Sequence, residues 1–454
     1  MPKYDTRQQI CCLNLASNMV TLDEGSQQEL QDLATQKLND IFLDSKIQEL
    51  IGEWEVVWGP CVFKYDGPIS ILEGEVTDSV MYMAKSKDIN ESECYVIAIA
   101  GTNLRSLHGW IVQDFWVNKT KLWNNGQPWK ADPEDQTTPG IRVSAATSTA
   151  MRILCEDMQS DQKSLLDSLK EIANSASKPI SINTCGQSLG GTLSPALALS
   201  LMDRRSEWDP EGKATFSASP TSGATPGNDK FATYYDSQLG NVTDRIWNSF
   251  DFVPHGWAQE TLEETRTFYE PYIPTTALID LFVDFCLFLS KSSGVEYKHV
   301  RLEQDSYPSE FNPDAVPKIS AGDISKLVVK LILHSLGIEN APKDLIDAEI
   351  DIIKPLIEEL IEKNKSGKSP LPAGQIKQMV EPYVQQIIEK LQTEKLISNI
   401  KGSINHVRLL LSSIWDFIKY IFQTLYQHAE ALFEYMQISE YITRLDELGV
   451  QLLP

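Results

Sequence analysis

The chain has 454 residues, 42% hydrophobic and 23% charged, with 24 Gly and 23 Pro, a balance that excludes disordered, collagen-like and low-complexity chains and suits roughly two to four domains, or one large one with insertions. Lys plus Arg number 40 against 63 Asp plus Glu, a net charge of −23; such a field repels phosphate backbones and anionic headgroups, so no nucleic-acid partner is expected. The seven cysteines, odd in number and without paired zinc-type spacing, read as reduced thiols, and neither metal nor organic cofactor is expected.

At the start, Asp5, Arg7, Gln8, Gln9, Asn14 and Asn18 interrupt any apolar run, so a cleavable secretory signal is not expected. The expected location is cytoplasmic, or outside the cell by a route that needs no such signal. Short Val- and Ile-rich runs then alternate with longer helical ones, the pattern of a parallel α/β sheet. Tyr95–Ala100 reads as a buried strand, Gly140–Met158 as a helix, Lys178–Thr184 as a second strand, Leu189–Arg204 as a helix and Arg245–Phe250 as a third strand. The apolar run Ala277–Leu289 contains Asp280 and Asp284, which disqualifies it as a membrane span. Glu296–Leu302 reads as an edge strand. From Asp323 to Tyr420 the apolar spacing becomes helical, with a turn at Asn364–Ala373 marked by Gly367, Pro370 and Pro372.

Chemistry is expected at the strand ends. Gly186-Gln187-Ser188-Leu189-Gly190 stands between a strand and a helix, where Gly-x-Ser-x-Gly makes a sharp turn that exposes a serine nucleophile. The amide of Leu189 and the Gly101-Thr102 step that closes the first strand are the candidate oxyanion donors, which predicts Ser188, Leu189 and Thr102 at one point. Asp251, in NSFDFVP at 248–254, follows the serine in the order of an α/β-hydrolase acid. An α/β-hydrolase order, with the base after the acid, would set His108 aside, and His255 lies too close to the acid, which leaves His299, His334, His406 and His428 open as general base.

In these segments the sequence resembles the class 3 lipases, the fungal lipase-like family of α/β-hydrolases. The resemblance rests on Gly101-Thr102 followed by Trp110 and Asp114, on GQSLGG at 186–191, on SPTSGATPGNDKFA at 219–232 and on RIWNSFDFVPHGW at 245–257. The last two look like a bacterial branch of the family, and the likeness covers roughly residues 95–300 plus a short C-terminal piece. Gln187 stands where the family more often has His, and Ala100 where Arg is common. The segment Tyr426-Gln427-His428 looks like the family's YQH, which implies His428 as the base, with His299 next.

The resemblance implies an α/β-hydrolase with a mostly parallel central sheet, and the 177 residues between Asp251 and His428 imply a large helical insertion, or cap, before the catalytic His. Its expected boundaries are a core at 1–304, an insertion at 305–412 and a return to the core at 413–454 that carries His428. The implied activity is serine carboxylester hydrolysis of lipids, triacylglycerol lipase-like, through Ser188, His428 and Asp251 and an acyl-enzyme. Phospholipase A, as a secreted bacterial effector, is the alternative within the class, and a catalytically inert helical interaction protein is the rival outside it. Leu104, Leu107 and Trp110 are expected to contact substrate or belong to a lid over Ser188, formed by Asn103–Gly109, the helix Thr275–Ser290 and the insertion. The expected partners are a lipid ester and a neutral lipid surface; the oligomeric state is left open.

Overall fold

The computed structural model describes residues 2–64, 79–88, 91–101, 116–132, 134–315, 319–338, 341–365 and 373–452. Side chains alternate across the strands and so fix two faces of the sheet. Beside β1 (Trp54–Phe63), β2 (Ser79–Ser86) runs antiparallel, as it does to β3 (Glu93–Ile99) on its other side, with Met81 opposite Ile99. β4 (Thr120–Leu122) and β5 (Arg142–Ser144) form a separate antiparallel ribbon. β6 (Ile180–Gln187) joins β3 in parallel and β7 (Ala214–Thr221) joins β6 in parallel, giving the order β1-β2-β3-β6-β7. Val80, Tyr82, Ala84, Val96 and Ala98 enter one core, and Met81, Met83, Tyr95, Ile97 and Ile99 enter the opposite one.

Helices α1 (Thr6–Ala16), α2 (Gln27–Leu43) and α3 (Ser45–Ile51) cover the first face. Asp5 with Gln8 and Ser26 with Glu29 form capping boxes that satisfy the opening amides of α1 and α2. The second face is covered by α4 (Ala145–Arg152), α5 (Leu165–Ser175), α6 (Leu189–Asp203), α7 (Arg205–Trp208) and α8 (Asp229–Leu239). α9 (Gln259–Glu264) and α10 (Ala277–Ser292) lead out to the helical block of α11 (Ala321–Ser335), α12 (Lys343–Lys365), α13 (Ala373–Thr393) and α14 (Ile400–Ser412). The chain returns along α15 (Ile414–His428), and α16 (Glu430–Met436) and α17 (Ser439–Glu447) pack with α1 to α3 on the first face.

The block is built on the spacing read from the sequence: Ile324, Leu327, Val328, Leu331, Ile353, Leu356, Ile357, Val380, Val384 and Ile387 are all buried in one core with α10 and α15. Each such side chain contributes about 1.5–3 kcal/mol on burial. No described helix is long and apolar enough to cross a membrane.

Three expectations change. Arg245–Phe250 is not a strand; the third parallel strand is β7, and the later segment touches it only through isolated bridges at Thr243 and Ile246. The cause is Asn248, whose Oδ1 accepts from the Phe250 amide at 2.8 Å and whose carbonyl accepts from the Asp251 amide at 3.1 Å, turning the chain out of the sheet. Glu296–Leu302 forms a single bridge, Asn228 to Tyr297, before the chain turns at Arg301 with φ +51°. Within Gly140–Met158 the helix is confined to α4 and a following π-turn, because Arg142–Ser144 pairs with Thr120–Leu122 instead.

Candidate active site

Between β6 and α6 the chain reverses in one residue. Ser188 sits at φ +58°, ψ −121°, a conformation costly for a residue with a Cβ, and its amide donates to the Thr221 carbonyl at 3.0 Å. The flanking glycines are obligatory: a Cβ on Gly186 would lie 2.1 Å from the Gly190 carbonyl oxygen, and one on Gly190 would lie 2.2 Å from that of Ile99. Leu189 opens α6, so its amide belongs to the helix's first turn, where N–H groups lack an intrahelical partner and carry the positive end of the dipole.

Asp251 and His428, 177 residues apart, meet with Nδ1 and Oδ2 at 2.7 Å, and both are buried. The other carboxylate oxygen, Oδ1, accepts from the Val253 amide at 3.0 Å, which leaves the acid two directed bonds and one orientation. His428 is the last residue of α15; Ala429, at φ −125° and ψ −65°, ends the helix before α16 begins.

Three buried amide side chains tie the segments together. Gln187 donates from Nε2 to the His428 carbonyl at 2.9 Å, joining the serine turn to the histidine helix. Asn248 donates from Nδ2 to Gln427 Oε1 at 2.6 Å and so joins the acid turn to the same helix. Gln427 also accepts from Ser309 Oγ at 2.6 Å and donates to the Glu310 carbonyl at 2.7 Å. In the sequence Asn248 and Gln427 carry no mark of the site, and Gln187 stands out only as a departure from the family's His. The one available signal was their position beside the chemistry, three residues before the acid and next to the histidine.

Ser188 and His428 line one cavity of about 30 Å³ with Gly101, Leu15, Asn18 and Phe433 among its walls, room for a water molecule or two. Asn18 Oδ1 accepts from the Gly101 amide at 2.9 Å and so anchors the end of β3. The described walls come from the end of α1 and the turn after it, the strand ends and the C-terminal stretch 428–452, and none comes from α10 to α14. Thr102, Leu104, Leu107 and Trp110, with His108 and the rest of Asn103–Gly109, lie outside the described residues.

The other histidines are held elsewhere. His255 has its Nε2 3.1 Å from the Ser249 carbonyl and its ring against Phe268, and burial lowers its pKa to about 4. Burial also pushes His299 well below the ordinary histidine value, with nearby Arg245 adding to the effect. His334, half-buried on α11, lies edge-on to Phe285, and His406 belongs to α14. Among the described residues no group of His, Cys, Asp and Glu is arranged to hold a metal ion.

Residues 96–260 match the family model described as lipase (class 3). Among solved structures the chain is similar to M37 lipase, at 28% identity and a TM-score of 0.58, over 69% of this chain and 87% of that one. Lipase II from Rhizopus niveus matches at 15% identity over 57% of this chain and 77% of its own, with a TM-score of 0.35. Rhizomucor miehei triacylglyceride lipase matches at 13% identity over 55% and 75%, with a TM-score of 0.32. No curated protein matches.

Proposed function

Taking the chain as a class 3 lipase with the α/β-hydrolase fold, and so as a lipid carboxylester hydrolase, we propose that Ser188, His428 and Asp251 act as nucleophile, general base and orienting acid. The observation that carries this reading is the buried 2.7 Å pair of His428 Nδ1 with Asp251 Oδ2, together with a cavity that His428 shares with the serine of a strained strand-to-helix turn.

In this mechanism Ser188 Oγ attacks the ester carbonyl carbon while His428 Nε2 takes its proton. Charge collects on the former carbonyl oxygen, which the Leu189 amide and Thr102 stabilise. Collapse breaks the bond to the alcohol, which leaves with the proton from His428, and the acyl group stays on Ser188. Water, deprotonated by the same imidazole, then releases the fatty acid. Asp251 keeps its charge throughout and holds the tautomer in which Nδ1 donates. The substrate class is triacylglycerol-like ester, with Leu104, Leu107 and Trp110 in the role of substrate contacts or lid residues.

A cavity of about 30 Å³ is too small for an acyl chain, so substrate enters after covering segments move, at a neutral surface that the net charge of −23 does not oppose. The test is a p-nitrophenyl ester series of rising acyl length on wild type and Ser188→Ala, beside labelling by a fluorophosphonate. Rapid labelling and turnover, both lost in the variant and both retained in His299→Ala, support the reading. Loss of both in His299→Ala with His428→Ala active would overturn it.

A further inference from the structure

Parallel strands covered on both faces are normally apolar throughout. On the face toward α1, however, β6 and β7 carry Asn183, Ser217 and Ser219 side by side, with Asn183 paired opposite Ser217 in the ladder. Asn183 Nδ2 donates to both hydroxyls, at 2.9 and 3.1 Å, which leaves the two hydroxyl protons to point elsewhere. Its Oδ1 is buried without a partner. Facing this patch, α1 presents Asn14, 1% exposed, with neither Nδ2 nor Oδ1 hydrogen-bonded. A dry, unpaired amide costs about 1–3 kcal/mol, and here two amides converge on the same space.

That space is a cavity of about 290 Å³ between α1 and the two strands, several times what single buried waters occupy. Ile10, Val242 and Ile246 add apolar wall, and Thr6 and Thr221 also line it. At its edge Arg7 and Asp244 neutralise each other at 2.7 Å, and Gln304 also donates to Asp244. The thiols of Cys11 and Cys185 inside are held protonated by burial, which raises the first to about 12 and the second well above its ordinary value. The interior therefore offers neutral donors and acceptors interspersed with hydrocarbon.

We propose that the cavity between α1 and strands β6 and β7 is a second ligand site, distinct from Ser188, that binds a small neutral polyol of glycerol to monosaccharide size. Hydroxyls of the ligand meet Asn14, Asn183, Ser217 and Ser219, and its C–H edge lies on Ile10 and Ile246. The site does not depend on the ester chemistry, and it stands whether or not Ser188 is the nucleophile.

The intact protein, and a Ser188→Ala form that removes turnover, are titrated with glycerol, erythritol and glucose by calorimetry, with glycerol 3-phosphate as the charged control. Saturable binding of at least one neutral polyol is expected, with the phosphate ester weaker. Asn14→Leu removes two hydrogen bonds and lowers the affinity by about tenfold or more. Should that variant misfold, Asn183→Val from the opposite wall provides the same test, and a polyol-soaked crystal locates the ligand directly. Absence of saturable heat for all three polyols, binding that both cavity variants leave unchanged, or preference for the charged ester overturns the proposal.

Discussion

The helical block and the serine cavity are both buried, but they are ordered by different forces. Along α11 to α14 the interior is aliphatic, with Ile324, Leu327, Leu356, Ile357, Val380 and Ile387 presented at helical spacing. Around the cavity the ordering contacts are directional: Gln187 to the His428 carbonyl, Asn248 to Gln427, and Asp251 to His428. Area burial is indifferent to a rotation of a few degrees, whereas a hydrogen bond weakens steeply with misalignment. The block should thus tolerate changes of shape that conserve volume, and the cavity should not tolerate changes that conserve volume but delete a donor.

The sharpest test of the cavity side is Ser188→Ala, expected to retain the fold and to lower kcat by about 10⁶-fold, the scale on which loss of a triad nucleophile is felt. Ester turnover near wild-type level in that variant would remove the serine from the mechanism. Asp251→Asn keeps the size of the side chain and reverses its hydrogen-bond preference, so the imidazole adopts the wrong tautomer and kcat falls by about 10⁴-fold. An unchanged melting temperature beside that loss would separate orientation from folding.

A smaller effect is expected where the amide side chains act through the triad. Gln427→Leu and Asn248→Ala each leave buried groups unpaired, at about 1–3 kcal/mol, and release the register between the acid turn and α15. We expect kcat to fall by about tenfold or more with KM little changed, since misplacement of catalytic groups is costly even at small amplitude. The matched controls are Leu327→Met and Leu356→Met in the block, which cost below about 1.5 kcal/mol and leave kcat alone. Equal losses of kcat from both pairs would erase the contrast between the two regions.

That contrast also explains what was legible in the sequence. Helical periodicity exposed the block and α6, and the Gly-x-Ser-x-Gly turn exposed the serine because its geometry demands glycine at fixed positions. The long-range partners of the site carry no such local signature. Asn248 reads as one more polar residue in an apparent strand, and only its bonds to the Phe250 amide and to Gln427 show why the strand stops there. β7 is not legible because Thr215, Ser217 and Ser219 break its apolar run, nor are β1 and β2, because pairing with partners decides their extended form. Asn18, which holds Gly101 from a turn far upstream, had no local mark at all.

A buried carboxyl inside the block gives the last prediction. Glu349 on α12 is 2% exposed and neither carboxylate oxygen has a hydrogen-bond partner. Burial raises its pKa from 4.5 to about 8, a shift that Lys390 on α13 offsets only in part. Below about pH 4.5 the carboxyl is protonated in both folded and unfolded chains and imposes no pH dependence. Between there and pH 8 the unfolded carboxyl releases its proton while the folded one keeps it, so stability falls as pH rises, by up to a few kcal/mol. Above pH 8 the folded group ionises too and the loss levels off. Glu349→Gln keeps the shape and cannot ionise. Its melting temperature should match wild type near pH 4.5 and exceed it near pH 8, with ester turnover on a short substrate unchanged. A wild type whose stability follows that of Glu349→Gln across this whole range would mean that the carboxylate finds water or Lys390 in solution, and that the block is less dry than its aliphatic interior requires.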